Sequence, residues 1–172
     1  GSIIQTDGVV SGDRVVLSGG GNFGASNRLL NVSTPDLTIL TLGGNAFVHD
    51  DQAVSFNNLS GASGALVVQA NGITTNAVLN ANQIILQANK GSNGSIILFS
   101  DINAFSLSPN AVVLKADGYG MVGSFATINA FGAHLSSDTG DIVVQSNVGV
   151  VSASTSLFGT VNIDNKSSSV LL

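Results

Sequence analysis

The stretch from residue 64 to 118 contains one nine-residue phrase three times, as GALVVQANG at 64–72, NQIILQANK at 82–90 and NAVVLKADG at 110–118. A fourth copy, GDIVVQSNV, follows at 140–148. Each copy has three aliphatic residues in a row, followed by Gln or Lys, then Ala or Ser, then Asn or Asp. Short aliphatic blocks bounded by turn residues are typical of strands, so the phrase predicts one strand that recurs along the chain.

The spacing of the copies indicates stacked repeats. The copies start at residues 64, 82, 110 and 140, and a second phrase recurs as FSDINAF at 99–105 and FATINAF at 125–131. Periods of roughly 20 to 50 residues are typical of solenoids. The block GSIILFSD at 94–101 follows the second copy too closely to be a new turn, so it is interpreted as another face of the same turn.

The sequence therefore predicts an all-β fold, a right-handed parallel β-helix with three-faced turns of about 18 to 30 residues, since parallel crossovers favour right-handed coiling. Period-two alternation assigns the side chains of each phrase to two sides. Those predicted to point into the core are Leu66, Val68, Ala70, Ile84, Leu86, Ala88, Val112, Leu114, Ala116, Ile142, Val144 and Ser146. The opposite phase would bury Gln and Lys, which is costly.

Two outer columns follow from the same alternation, and they are the candidate interaction surface. Val67, Ile85, Val113 and Val143 are expected to form an aliphatic column, and Gln69, Gln87, Lys115 and Gln145 a polar one. Asn71, Asn89, Asp117 and Asn147 are expected at corners, where their side chains tolerate left-handed backbone. Stacked Asn or Gln side chains can hydrogen-bond from turn to turn. The aliphatic column is either a docking surface or is covered by another part of the chain.

Composition restricts the classes of partner. The formal net charge is −5, from ten Asp and no Glu against five basic residues that form no run, so a nucleic-acid partner is not expected. The absence of Cys excludes disulfides, thiol catalysis and Cys-based zinc sites. No apolar stretch approaches 18 residues, so membrane insertion is not expected. A hydrophobic content of 44% predicts a packed core rather than disorder.

The chain divides into three parts by regularity. Residues 1–2 are interpreted as a remnant of cloning. Residues 3–63 are less regular, and they are expected to form either further turns, a cap, or a segment packed outside the coil. Residues 64–172 are expected to form regular turns of one continuous domain, a fragment of a longer protein.

Candidate catalytic residues are few. An imidazole and two carboxylates adjoin at His49-Asp50-Asp51, which could serve acid–base catalysis or metal binding. Neighbours on a strand point to opposite sides, however, and His134 is distant in sequence, so a solvated loop is the favoured interpretation. Several β-helices are polysaccharide lyases or hydrolases, and the candidates for such a groove are Asp101, Asp117, Asp138, Asp141 and Lys115.

Glycine-rich stretches give weak signals for ligands. The runs at 19–22 and 43–45 resemble incomplete calcium-binding repeats without the Asp, and the stretch 19–27 lacks the Lys of a phosphate loop. Turns are the favoured interpretation, and no metal or cofactor is predicted. The aromatic residues, including Phe99, Phe105, Phe125 and Phe131, are expected to fill the core or seal corners rather than bind sugars.

The phrases GALVVQANG, NQIILQANK, GSIILFSD and NAVVLKADG, separated by short Gly, Asn and Thr turns, resemble the repeats of filamentous-haemagglutinin-type exoproteins, the bacterial two-partner secretion adhesins. The resemblance covers residues 64–164 and is one of repeat style. Autotransporter passengers have similar shafts and fit equally well. No export motif such as NPNG or NPNL is present, and no functional residue is carried over from the family.

The resemblance implies a β-helical shaft exported by an outer-membrane transporter and secreted or displayed on a Gram-negative surface. It implies a role in adhesion, aggregation or biofilm formation, with a surface glycan, a protein receptor or another adhesin molecule as partner. Two hypotheses are therefore carried forward. One is a non-enzymatic adhesive shaft, and the other is a carbohydrate-active β-helix with an Asp and Lys groove.

Overall fold

The computed structural model describes residues 1–89, 94–118 and 120–167, without the side chains of 122–124. These residues form fifteen β-strands and no helix. In chain order the strands are β1 (Val10–Ser11), β2 (Val15–Gly19), β3 (Leu30–Ser33), β4 (Leu37–Thr41), β5 (Ala46–Asp50), β6 (Ala53–Phe56), β7 (Ser60–Ala70), β8 (Gly72–Thr75), β9 (Leu79–Ala88), β10 (Ser95–Leu98), β11 (Ile102–Ala104), β12 (Val112–Ala116), β13 (Gly120–Thr139), β14 (Ile142–Phe158) and β15 (Val161–Asn165).

The strands stack as a parallel β-solenoid of about seven turns, which confirms the predicted fold class. Each turn visits three faces. The phrase face contains residues 30–33, 46–50, 65–70, 83–88, 112–116, 133–137 and 151–155. The asparagine face contains residues 15–19, 37–41, 60–62, 79–81, 102–104, 128–130 and 146–148. The short-strand face contains residues 53–56, 72–75, 95–98, 120–122, 142–144 and 161–163.

The core is a set of aliphatic columns that run along the stack. On the phrase face one column pairs six residues in succession, each at most 1% exposed: Leu30, Val48, Val68, Leu86, Leu114 and Leu135. Burial of each such side chain contributes about 1.5 to 3 kcal/mol. All twelve side chains predicted to point inward are buried, which confirms the assigned phase.

The fourth copy of the phrase does not stack on the third, and this part of the prediction is wrong. Ile142 pairs with Met121 and Val161 on the short-strand face. Leu114 pairs instead with Leu135, 21 residues later rather than 30. Alternation specifies which side of a strand is buried but not which face the strand belongs to, so the same phrase recurs on a different face.

Other expectations from the spacing are confirmed. Strand β10, within GSIILFSD, lies on a different face of the turn that continues into β12. The two INAF motifs stack in register, with Ile102 opposite Ile128 and Asn103 opposite Asn129. Two phrases with similar offsets therefore mark two faces of one coil.

The less regular segment before residue 64 forms turns of the same stack. Strand β4 continues the asparagine face, β5 the phrase face and β6 the short-strand face. Phe47 lies below Val67 in register and continues the aliphatic outer column with an aromatic side chain. The segment is irregular in sequence because its turns carry insertions, such as the loop between Phe23 and Leu30, whose flanking residues pair with Ala46 and Val48.

Candidate functional site

The two outer columns of the phrase face exist for three turns as predicted. Val67, Ile85 and Val113 pair in register and are half-buried. Val143 does not belong with them, because it pairs with Val122 and Asn162 on another face. The position above Val113 is held by His134, whose Nδ1 lies 2.5 Å from Ser152 Oγ. The outer surface thus changes from aliphatic to polar along the stack.

The side chains of the polar column form hydrogen bonds with one another and with Asp117. Gln69 Nε2 donates to Gln87 Oε1 at 3.4 Å, and Gln87 Nε2 donates to Asp117 Oδ2 at 3.4 Å. Lys115 Nζ lies 3.1 Å from Asp117 Oδ1. Gln145, predicted to be the fourth member, accepts from Lys166 Nζ at 3.3 Å elsewhere. The column therefore ties successive turns together.

The corner assignments hold for three of the four copies. Asn71, Asn89 and Asp117 follow the ends of strands β7, β9 and β12. Asn147 is wrong as a corner, since it lies within β14 on the asparagine face, opposite Asn129. The cause is again the change of face at the fourth copy.

Two further carboxylates of the predicted groove, those of Asp101 and Asp141, hold backbone groups. Asp101 Oδ1 accepts from the Thr127 amide at 2.8 Å. Asp141 Oδ1 accepts from the Thr160 amide at 2.7 Å and its hydroxyl at 2.9 Å, and these bonds lower the pKa of the Asp141 carboxyl. Asp101 directly precedes β11, whereas Asp117 directly follows β12 and Asp138 lies near the end of β13. Among the described residues, no three His or Asp side chains are placed to hold a metal ion.

The cluster His49-Asp50-Asp51 is not the solvated loop that was expected. His49 and Asp50 belong to β5, with His49 half-buried between Asn31 and Gln69 on the outer side. Asp50 is fully buried, and its carboxylate accepts from the Gln52 amide at 2.9 Å and the Thr34 amide at 3.3 Å. Burial raises the pKa of the Asp50 carboxyl, although these hydrogen bonds act to lower it. The two carboxylates and the imidazole do not converge.

The glycine-rich runs are stacked corners. Asn22 Oδ1 accepts from the Asn45 amide at 2.7 Å, and Asn45 Oδ1 accepts from the Ala65 amide at 2.8 Å. A Cβ added at Gly44 would lie 2.6 Å from Asn22 Oδ1, so this turn requires glycine. The runs position an asparagine side chain against the backbone of the next turn.

The aromatic side chains are where the structure differs most from the surface predicted from the sequence. Phe23 and Phe56 are buried, but the four Phe of the repeated motif are exposed and do not fill the core. Their exposed fractions are 52% for Phe99, 67% for Phe105, 81% for Phe125 and 45% for Phe131. The alternation that buries Ile102 and Ala104 places Asn103 and Phe105 outside, so the signal was present in the sequence.

The centre of the asparagine face is a ladder of amides. Asn129 Nδ2 donates to Asn103 Oδ1 at 2.9 Å, and Asn103 Nδ2 donates to Asn80 Oδ1 at 2.8 Å. These three side chains are half-buried and pair in register. Phe105 and Phe131 follow one edge of the face, so amides and exposed phenyl rings lie side by side.

A groove of about 300 Å³ lies below Phe105 on this face. Leu42 and Leu59 line it together with Phe105, and Gly61 and Ser63 are the small residues between them. The amide residues Asn80 and Asn82 complete the lining above. The arrangement combines an aromatic wall, aliphatic side chains and amide groups, which suits a small ligand with both apolar and hydrogen-bonding surfaces.

The described residues include no helix that is long and apolar enough to span a membrane. Comparisons with models of known families, with curated proteins and with solved structures gave no match.

Proposed function

We propose that the chain is a non-enzymatic shaft segment of a secreted or surface-displayed bacterial exoprotein of the filamentous-haemagglutinin type, acting in adhesion, aggregation or biofilm formation. The observation that carries this proposal is the continuous parallel stack, in which one buried aliphatic column runs through six successive turns. Each turn of a solenoid contacts only its neighbours. Such a stack extends in one direction, as a shaft requires.

The contacts of the polar groups support a shaft over the polysaccharide lyase or hydrolase considered as the alternative. Lys115 and Gln87 both contact the carboxylate of Asp117. Asp101 and Asp141 each accept hydrogen bonds from a threonine one turn later in the chain. These groups hold neighbouring turns together, whereas a polysaccharide hydrolase needs a pair of carboxyl groups flanking one bond. A lyase needs a general base within reach of the proton that it removes.

The proposed partners are a surface glycan, a protein receptor or another adhesin molecule, with an outer-membrane transporter during export. The exposed Phe and amide groups of the asparagine face support contact along the side of the shaft, since exposed apolar groups beside polar ones are typical of interaction surfaces. The proposed location is the extracellular side of a Gram-negative outer membrane.

Adhesion can be tested with beads coated with the chain and counted on epithelial and bacterial cells. The folded chain should retain more beads than an albumin coating. Leu86→Asp, which is expected to unfold the coil, is the control with nearly the same composition. Retention no greater than that of albumin, or equal retention by the unfolded variant, would contradict the adhesive role. Release of reducing ends from a polysaccharide would instead support the enzyme.

A further inference from the structure

The hydrogen bonds of the asparagine ladder run in one direction and leave a donor at its lower end. Each amide nitrogen donates to the side-chain oxygen of the turn below, from Asn129 to Asn103 to Asn80. The residue below Asn80 in register is Gly61, which has no side chain. Among the described residues Asn80 Nδ2 therefore has no protein acceptor. Hydrogen bonds in a chain polarise one another, which makes the donor at the end of this ladder a stronger one.

This donor belongs to the lining of the groove below Phe105. Asn80 and Gly61 both line it, and the phenyl ring of Phe105 is 67% exposed beside them. Gly61 is fixed as glycine by the stacking itself, because a Cβ there would lie 2.4 Å from the Asn80 carbonyl oxygen. The open space in front of Asn80 is thus built into the turn.

The charge and size of the groove define its occupant. Every described lining residue is uncharged, so the groove complements a neutral ligand rather than an acidic or basic one. Eleven residues line it, whereas a stable protein interface uses roughly 20 to 30 residues on each side. A small neutral molecule fits these limits better than a second protein.

We propose that the groove binds an uncharged pyranose sugar. The apolar face of the ring packs against Phe105, and a hydroxyl oxygen accepts a hydrogen bond from Asn80 Nδ2. Aromatic faces carry negative charge density that attracts the C–H groups of such a ring. This inference rests on the proposed adhesive function and names a ligand class for one of its surfaces.

Affinity at one groove should be low. A single aromatic contact and few hydrogen bonds correspond to a dissociation constant on the order of 1 mM. Many shafts on one surface would raise the avidity without any additional contact. The expected behaviour is weak binding in solution and stronger binding on a multivalent surface.

The test is a titration of the isotopically labelled chain with cellobiose and with lactose, followed by nuclear magnetic resonance. Either sugar should shift the Asn80 side-chain amide and the Phe105 ring signals, with half-saturation at about 1 mM. Phe105→Ala should weaken binding about fivefold, and Ser63→Phe should block the groove. Phe125→Ala removes an exposed ring at another corner and should leave binding unchanged.

Three outcomes would overturn the proposal. The first is the absence of a shift with both sugars at about 20 mM, well above the expected dissociation constant. The second is an equal loss of binding in Phe125→Ala, which would indicate non-specific contact with phenyl rings. The third is a shift of the groove signals with protein concentration alone, which would indicate a second copy. Bead adhesion that persists in Phe105→Ala would leave the adhesive function standing without this sugar site.

Discussion

The turns around residues 65–116 and those around residues 133–155 share an inner column but differ outside. Inside, Leu86 and Leu114 are followed by Leu135 and Ala153 in register. Outside, the aliphatic column of Ile85 and Val113 gives way to His134 and Ser152, which pair with it in register. The stack thus constrains what is buried and leaves the outer residues free to vary, which is where a binding function can differ between turns.

The largest expected effect comes from a charge in the shared inner column. Leu86→Asp places an unpaired carboxylate between Val68 and Leu114, both fully buried, and should cost at least about 4 kcal/mol or prevent folding. Ala153→Asp changes the same column near its upper end, where the side chain is only partly buried, and should cost less. Urea unfolding monitored by circular dichroism measures both.

The matched surface control is Gln87→Lys, next to Leu86 and pointing outward. Its side chain can still reach Asp117, so the free energy of unfolding should change by no more than about 0.5 kcal/mol. Equal losses for Leu86→Asp and Gln87→Lys would contradict the assignment of inner and outer columns.

A smaller effect is expected from the asparagine ladder, which joins the middle and upper turns. Asn103→Leu removes the hydrogen bonds to both Asn80 and Asn129 and should cost about 1 to 2 kcal/mol. Asn147→Leu lies in the same column but is exposed, so its effect should be within about 0.5 kcal/mol. Thermal and urea unfolding of the two variants would separate them, and a larger loss for Asn147→Leu would contradict the ladder.

The buried Asp50 predicts a dependence of stability on pH. Its pKa is raised in the folded state above the ordinary value of 3.8, so the folded chain retains a proton that the unfolded chain loses. The free energy of unfolding contributed by Asp50 is therefore highest below pH 3.8, and it decreases as the pH rises from 3.8 through the folded-state pKa. Asp50→Asn should remove this decrease, as measured by urea unfolding across that range.

Asp141 is a control, because its contribution to the free energy of unfolding changes with pH in the opposite direction. Its pKa is lowered by the bonds from Thr160, so its contribution is present above pH 3.8 and is lost as the pH falls through the lower folded-state value. Asp141→Asn should reduce the loss of unfolding free energy that occurs as the pH falls below 3.8. For Asp50, the contradicting result would be a free energy of unfolding that decreases above pH 3.8 as steeply in Asp50→Asn as in the unsubstituted chain.

Among the substitutions expected to reduce stability, the smallest effect is expected where the two regions differ most. Val113→Ser gives the middle turns the residue type found at Ser152 and should cost about 1 kcal/mol or less, because Val113 is only half-buried. Ser152→Val should be nearly neutral. A loss comparable to that of Leu86→Asp would show that the outer column is as constrained as the core.

The inner columns could be predicted from the sequence because the opposite phase of each strand would bury Gln or Lys. Only one phase is therefore acceptable. Ile142 and Ser146 were therefore placed correctly inside even though their face was not. Asp50 was missed because its burial depends on amides of Thr34 and Gln52, which only the folded backbone supplies. The groove was missed because it requires Gly61 beneath Asn80 and Phe105 above, a juxtaposition set by stacking rather than by neighbours in sequence.

The register of the stack is the central claim, and pairs of introduced cysteines test it most directly in a chain that has none of its own. Val113 pairs with His134, and adjacent strands lie about 4.8 Å apart, within the range for a disulfide. The double variant Val113→Cys with His134→Cys should form an intramolecular disulfide on mild oxidation, detected by mass spectrometry, whereas Val113→Cys with Val143→Cys should remain reduced. The reverse result would contradict the stack described above and restore the register that the repeated phrase suggested.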